Sequence, residues 1–162
     1  MRWLRHLFAP SAHRLFPAER LQRIAQAIAE GERLHSGEVM FAVESGLDPR
    51  AVWADVDARA AAHAAFARLR TWDTAANNGV LIYLLLADHR IEIVADRGLE
   101  GQVSAEEWQQ VCARIEAGMR QGEAEAAVIA GVQAVSALLA RGFPAVPGQQ
   151  GENELPDLPR IL

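Results

Sequence analysis

Residues 77–97 read NNGVLIYLLLADHRIEIVADR, an unbroken apolar run, a short polar turn and then a second run that alternates. The first run, 79–87, is apolar on both faces and predicts a central strand covered from both sides. The second, 90–95, returns antiparallel after the two-residue connection Asp88-His89. Ile91, Ile93 and Ala95 share one face and Arg90, Glu92 and Val94 the other, a half-polar pattern that predicts a sheet edge. Upstream, EVMFAVE at 38–44 carries apolar residues on both sides and predicts a further strand, also covered twice.

Elsewhere the period is helical. Trp3, Leu4, Leu7 and Phe8, with Arg2, Arg5 and His6 between them, predict a short amphipathic helix stopped by Pro10. Pro17 opens a helix over 17–34 that buries Leu21, Ile24, Ala25 and Ile28. Asp48 and Pro49 start a helix to about residue 69, burying Val52, Val56, Ala60, His63 and Ala67. Ser104 and Glu107 form a capping box before a helix lined by Trp108, Val111, Cys112, Ile115 and Met119. A last helix over 123–141 buries Ala124, Val128, Val132, Val135 and Leu139 and is closed by Gly142. After Pro144 the chain is rich in Pro and Gly and predicts a tail that forms no core. Its apolar end (Leu155, Leu158, Ile161, Leu162) reads either as a docking peptide or as a frayed terminus.

Strand, long helix, strand is a right-handed βαβ unit, so 38–44 and 79–87 should be parallel. The fold class is α/β: a three-layer α/β/α sandwich, Rossmann-like in its layering, whose small mixed sheet of three or four strands combines the βαβ unit with the antiparallel hairpin. The chain divides into an amphipathic arm at 1–16, a single domain at 17–143 and a flexible tail at 144–162.

Composition narrows the function classes. A net charge of -5 and a pI near 5.5 argue against a nucleic-acid binder, which needs a basic stripe. The lone Cys112 permits no internal disulfide, as a reducing compartment favours. No apolar run reaches the roughly 18–20 residues that span a bilayer, and the basic start lacks the continuous apolar stretch of a signal peptide. The expected location is cytoplasmic, and peripheral to the inner membrane if the arm is a membrane-surface foot. The other reading of so short a helix is an arm packed on its own domain or on a partner, since a foot of this length binds lipid weakly.

Topology gathers polar residues at one rim of the sheet. Parallel strands at 38–44 and 79–87 begin at the same edge, and an antiparallel 90–95 ends there. Asp73, Asn77, Asn78, Asp96 and Glu100 should therefore lie close together. Carboxylate, amide and carbonyl oxygens are hard ligands suited to Ca²⁺. The competing reading is that Asp73, Asn77 and Asn78 cap and turn, while Asp96 pairs with Arg97 or a helix end.

The run Trp72, then Asn78–Gly79–Val80–Leu81–Ile82 through Ala87, then Arg90–Ile91–Glu92–Ile93, then Gly98–Leu99–Glu100–Gly101, resembles the TPM domain family over residues 17–142. That resemblance implies an α/β domain of this element order. It also implies a choice of roles: plant lumenal relatives are described as acid phosphatases in photosystem repair, some bacterial relatives bind calcium, and a nematode relative is a receptor accessory protein. The chain is similar to the compact, soluble bacterial type. The family's Gly-x-Gly after the second hairpin strand is here Ala95-Asp96-Arg97-Gly98, so a metal site does not carry over by motif.

Other chemistry is thin. Cys112 lies on a buried helical stripe, and Gly118 stands where a cysteine-phosphatase loop needs arginine. Asp55 and Asp57 resemble an aspartyl-phosphate motif but fall inside the helix expected over 48–69. None of the five histidines pairs at metal-ligand spacing; His63 reads as a core residue and His89 as an exposed turn residue. Trp72, in the polar loop, is placed to wall a pocket. Two functions remain: a non-enzymatic accessory module that assists a membrane-associated protein complex through the arm or the tail, with a weak calcium site, or a metal-dependent, acid-phosphatase-like hydrolase of phosphate esters.

Overall fold

The structure is a computed structural model that describes residues 1–148 and 153–162. Residues 149–152 of the predicted tail lie outside the described residues. In chain order the elements are α1 (Arg2–Leu7), α2 (Ala12–Leu15), α3 (Ala18–Glu32), β1 (Glu38–Glu44), α4 (Pro49–Trp53), α5 (Ala58–Arg68), β2 (Gly79–Leu85), β3 (Arg90–Ala95), α6 (Ala105–Arg120), α7 (Ala124–Gly142) and β4 (Arg160–Ile161), with a single 3₁₀ turn at Arg97–Leu99.

The sheet runs β3-β2-β1-β4, open and mixed. β1 and β2 pair in parallel from Glu38 against Gly79 to Glu44 against Leu85, and β3 is antiparallel to β2 with Val80 opposite Ala95. All seven residues of β2 are buried, as its two-sided apolar run requires. Val80, Ile82 and Leu84, with Val39, Phe41, Val43, Ile91 and Ile93, pack under α3, α6 and α7, where Ile24, Ile28, Ile115, Val128, Val132, Val135 and Leu139 close the larger core. The alternate residues Met40, Ala42, Leu81, Tyr83, Leu85 and Val94 meet α5, whose buried residues are Ala58, Ala61, Ala62 and Ala65, with Phe66 packed beside them. Helices therefore cover both faces, as the α/β reading expected.

The helix expected over 48–69 is two helices. Asp48 caps α4 by accepting from the Arg50 amide at 2.8 Å. The backbone then breaks at Asp55, whose φ of 55° is left-handed, and Asp57 caps α5 through the Ala60 amide at 2.7 Å. Asp55 and Asp57 are thus a turn residue and a cap, outside any helix interior. The break resets the helical phase, so His63, Ala60 and Ala67 are exposed and the buried stripe lies one residue away. His63 is not a core residue.

Helix α7, 19 residues rich in Ala, Val and Leu, is long and apolar enough to cross a membrane by length and composition alone. Its Val128–Val132–Val135–Leu139 line is fully buried against the sheet and neighbouring helices, the position of a core helix.

The tail also departs from expectation. Its end returns to the sheet: Leu155 is buried against the α5 side, and β4 adds a parallel fourth strand, Arg160 and Ile161 opposite Ala42 and Val43. The Leu162 amide donates to the Val43 carbonyl at 2.9 Å. The sequence concealed this because the pairing partner is more than a hundred residues away and a two-residue strand has no period to read.

The arm packs on its own domain through polar contacts. The Arg2 guanidinium donates to Asp88 Oδ2 at 2.8 Å and to the Val56 carbonyl at 2.6 Å. His6 is buried; its Nδ1 accepts from the Leu47 amide at 2.9 Å, so Nε2 carries the proton toward Asp88 Oδ1, 3.2 Å away. Burial pushes the Asp88 carboxyl up, but the Arg2 hydrogen bonds and the nearby charges outweigh it and hold the group below the usual carboxylate range. A carboxyl depressed in the folded state contributes stability above its unfolded pKa of about 4 and loses it as pH falls through the lower folded value.

Two outcomes are expected. Asp88→Ala should cost about 1–3 kcal/mol and speed hydrogen exchange at the Leu47 amide, with the same arm release in wild type only in acid, below about pH 4. Gly79→Ala should cost a further-reaching 1–3 kcal/mol or about that, because a Cβ there would fall 1.9 Å from the Thr71 carbonyl oxygen; the readout is a lower urea midpoint at unchanged m-value.

Candidate functional site

The two loops predicted to meet do meet. At the rim where β1 and β2 begin, the Gly98 amide donates to the Asn77 carbonyl at 2.8 Å and the Asp96 amide to the Gly79 carbonyl at 2.9 Å. Asn77 takes a left-handed φ of 51°, which asparagine tolerates. Gly98 is held against the preceding loop so closely that a Cβ would sit 2.5 Å from the carbonyl oxygens of both Ala76 and Asn77. The glycine that survives from the expected pair is therefore the one the loop contact demands.

The five predicted oxygen donors have different fates. Asp73 is half exposed and bonded to Arg70 at 2.7 Å, and the Arg70 guanidinium lies over the Trp72 ring, 5.6 Å from its centroid. Trp72 stacks on this cation and stands half exposed rather than lining a cavity. Asn77 contributes its backbone carbonyl to Gly98. Asn78 is buried; its backbone amide donates to the Thr74 hydroxyl oxygen at 3.1 Å, its Nδ2 donates to the Ser36 carbonyl at 3.1 Å, and its Oδ1 has no partner. Asp96 caps the 3₁₀ turn through Oδ1 and the Arg97 amide at 2.8 Å, while its Oδ2 is buried without a partner. Glu100 is exposed and donates only its amide, to the Arg97 carbonyl.

Strand alternation separates the two unpartnered oxygens. Asn78 continues the parity of Val80, toward α7, and Asp96 that of Val94, toward α5. Among the described residues no three His, Cys, Asp or Glu side chains are grouped as a metal would need. What the rim offers a hard cation is Asp96 Oδ2 with the Ala76 and Asn77 carbonyls crowded on Gly98.

Unsatisfied polarity is nonetheless concentrated here. Of the described residues, those with a buried polar side-chain atom lacking a partner are His35, Glu38, Asn78, Asp96 and Ser136. Four of them stand where β1 and β2 begin or β3 ends, and Ser136 faces Gly31 beside His35. Burial pushes the His35 imidazole below its ordinary range, only partly offset by Gly37. Its Nδ1–H donates to the Gly37 carbonyl at 2.9 Å, leaving Nε2 as an acceptor. Buried polar atoms are almost always paired, and the exceptions gather at this rim.

The opposite rim carries the arm. There α1 lies beside α4, and Met1, Trp3, Leu7, Phe8 and Trp53 are all exposed, Trp53 at 92%. The polar bolt through Asp88 fixes the arm while its apolar side faces outward. Sequence reasoning took Asp88 for a turn residue; an aspartate opposite an Arg-rich amphipathic arm was the signal available. It also missed the carboxylates under the tail, where a charged residue, Glu38, opens a strand otherwise buried end to end.

Nucleophilic chemistry finds no support in Cys112. Burial is the main cause that pushes its thiol up to about 11, with Glu92 and Glu116 adding to it. At neutral pH it is a protonated, half-buried packing group.

Comparison with known proteins agrees with this architecture. Among curated proteins none matches the chain. Among solved structures the chain is similar to the NMR structure of the BA42 protein from the psychrophilic bacterium Bizionia argentinensis, with 26% identity and a TM-score of 0.78 over 91% of this chain and 95% of that one. The family model for the TPM domain matches residues 11–138, from α2 almost to the end of α7. The chain belongs to the TPM domain family.

Proposed function

We propose that this TPM domain is a non-enzymatic accessory module that meets a membrane-associated protein complex with the α1–α4 face turned to the lipid surface. The observation that carries the reading is the set of exposed side chains Met1, Trp3, Leu7, Phe8 and Trp53 on two adjoining helices. Fixed tryptophans suit an interface, where one end of the ring is apolar and the other wet. Arg5 and Arg50 flank the patch and suit anionic headgroups, each contributing on the order of 1 kcal/mol near a charged surface. Because Asp88 bolts the arm to the domain, the patch is presented without a further ordering cost.

A second reading is supported by the unpartnered Asp96 Oδ2. A hard divalent cation of the calcium type would be held there weakly, by one carboxylate oxygen and loop carbonyls, with water completing the shell. Its role in an accessory module would be to stiffen the loops at 72–78 and 96–101. The hydrolase alternative would have to route its chemistry through the same carboxylate.

The full chain is expected to float with anionic phosphatidylserine vesicles, and the Trp3→Ser, Trp53→Ser double variant to remain in solution; equal recovery of both would reject the lipid-facing role. Millimolar Ca²⁺ is expected to shift amide signals in both rim loops of wild type and of the double variant alike, but not of Asp96→Asn. Turnover of p-nitrophenyl phosphate that vanishes in Asp96→Ala would replace the accessory reading with the hydrolase.

A further inference from the structure

The tail is held over the start of β1 by carboxylates rather than by arginines. The Glu154 amide donates to Glu38 Oε1 at 3.0 Å, and Glu154 Oε2 in turn accepts from the Ala75 amide at 2.9 Å. Glu32, at the end of α3, accepts the Val39 amide at 3.0 Å. Asp157 of the tail stands by Glu32 and acts to keep its proton on, and it accepts from Asn153 Nδ2 at 2.7 Å. Glu38 is only 5% exposed, and its second oxygen is buried without a partner. Carboxyl groups crowded together out of water repel when all are ionised, so a proton kept on Glu32 or Glu38 favours the docked tail.

The ionisable groups acting most strongly on Glu32 and Glu38 are carboxylates, from every element that reaches them. Glu32 feels Glu38 from β1 and Asp157 from the tail, and Glu38 feels Glu154 and Asp157, both from the tail. The loop before β2 brings the Ala75 amide, which is neutral. Arg160, the strap's own cation, is exposed and sits opposite Ala42, four residues along β1 from Glu38.

We propose that residues 153–162 are a strap that opens as pH rises: it lies on β1 while Glu32 and Glu38 keep their protons, and it lifts off when they ionise beneath a tail that itself carries Glu154 and Asp157. What opening uncovers is the free edge of β1, a strand whose side chains are otherwise buried on both faces.

The direction follows from the environment. Burial, then the neighbouring carboxylates, push Glu32 up to about 9 and Glu38 upward as well. An acid whose folded pKa is raised binds more protons folded than unfolded, so its closed state is fully stable below the unfolded value of about 4 and weakens as pH climbs toward the folded one. The strap therefore responds oppositely to the arm, which detaches in acid.

The test follows the methyl signals of Leu155, Ile161 and Leu162 in the full chain from about pH 5 to about pH 10, with Leu81 and Ile93 of β2 and β3 as internal reference. The strap signals are expected to move to unstructured positions with a midpoint on the alkaline side of neutrality, while the reference signals hold. In the Glu32→Gln, Glu38→Gln double variant, which keeps the acceptor oxygens and removes the charges, the strap signals should stay docked throughout. Wild-type signals that remain docked at about pH 10, or a double variant that undocks on the wild-type curve, would overturn the proposal. Redocking by millimolar Ca²⁺ at alkaline pH would also overturn it, assigning the cluster to a cation instead of to retained protons. If the double variant fails to fold, Asp157→Asn supplies the same comparison from the tail side, where a folding defect is not expected of a half-buried position.

Discussion

Burial of β2 on both faces is the condition on which the rest of the molecule depends. Each Leu or Ile fully buried there contributes about 1.5–3 kcal/mol, but only if an apolar layer covers it on its own side. The two layers solve this differently. Toward α3, α6 and α7 the sheet meets branched side chains and forms the larger core. Toward α5 it meets four buried alanines with Phe66 at their side, so most of the buried volume comes from the sheet itself, from Met40, Leu81, Tyr83 and Leu85. Tyr83 closes that layer by donating its hydroxyl to Glu44 at 2.5 Å. A close backbone approach explains Gly79, where the Thr71 carbonyl occupies the space a side chain would need.

How much of this could be read beforehand depended on contrast. The strands at 38–44, 79–85 and 90–95 were legible because burial on two faces, or on one, leaves distinct patterns over six or seven residues. The capping box at Ser104 and Glu107 formed as the local sequence required. The α4–α5 break was not legible, because a helix of alanines reads the same in any phase and Asp57 signals a cap only once Asp55 is known to leave the helical region. The return of the tail was hidden for another reason: its strand is two residues long and its anchors are Glu38 and Glu32, residues whose charge argues for exposure when no partner is known.

The site divides in the same way. Adjacency of the 72–78 and 96–101 loops followed from strand direction alone. The fate of each side chain did not, since Arg70 takes Asp73 and strand alternation turns Asn78 and Asp96 to opposite faces. Directions of side chains at a strand end are set by register to the residue, and one residue is finer than any boundary a sequence pattern defines. The two rims then carry different work. The rim where β1 and β2 begin holds the unpartnered polar atoms, and the other holds the exposed tryptophan-bearing helices.

Placement of arginine decides how the carboxylates behave. Every cationic side chain other than histidine in this chain is an arginine, and the forked guanidinium grips a carboxylate with two nitrogens where Arg23 meets Glu125 and Arg141 meets Glu107. Glu107, bonded to Arg141 and to the Ser104 amide, is held down to about 2. Glu32, half-buried beside Glu38 and Asp157, is pushed up to about 9. The residue type is the same and the difference lies wholly in surroundings: a guanidinium in one case, desolvation and like charge in the other. An acidic chain could have tied its tail with one of its sixteen cations and did not. A strap fastened by arginine would hold across the neutral range, whereas the proposed strap, fastened by protons, would hold only while the protons remain, which would make the β1 edge a conditional contact.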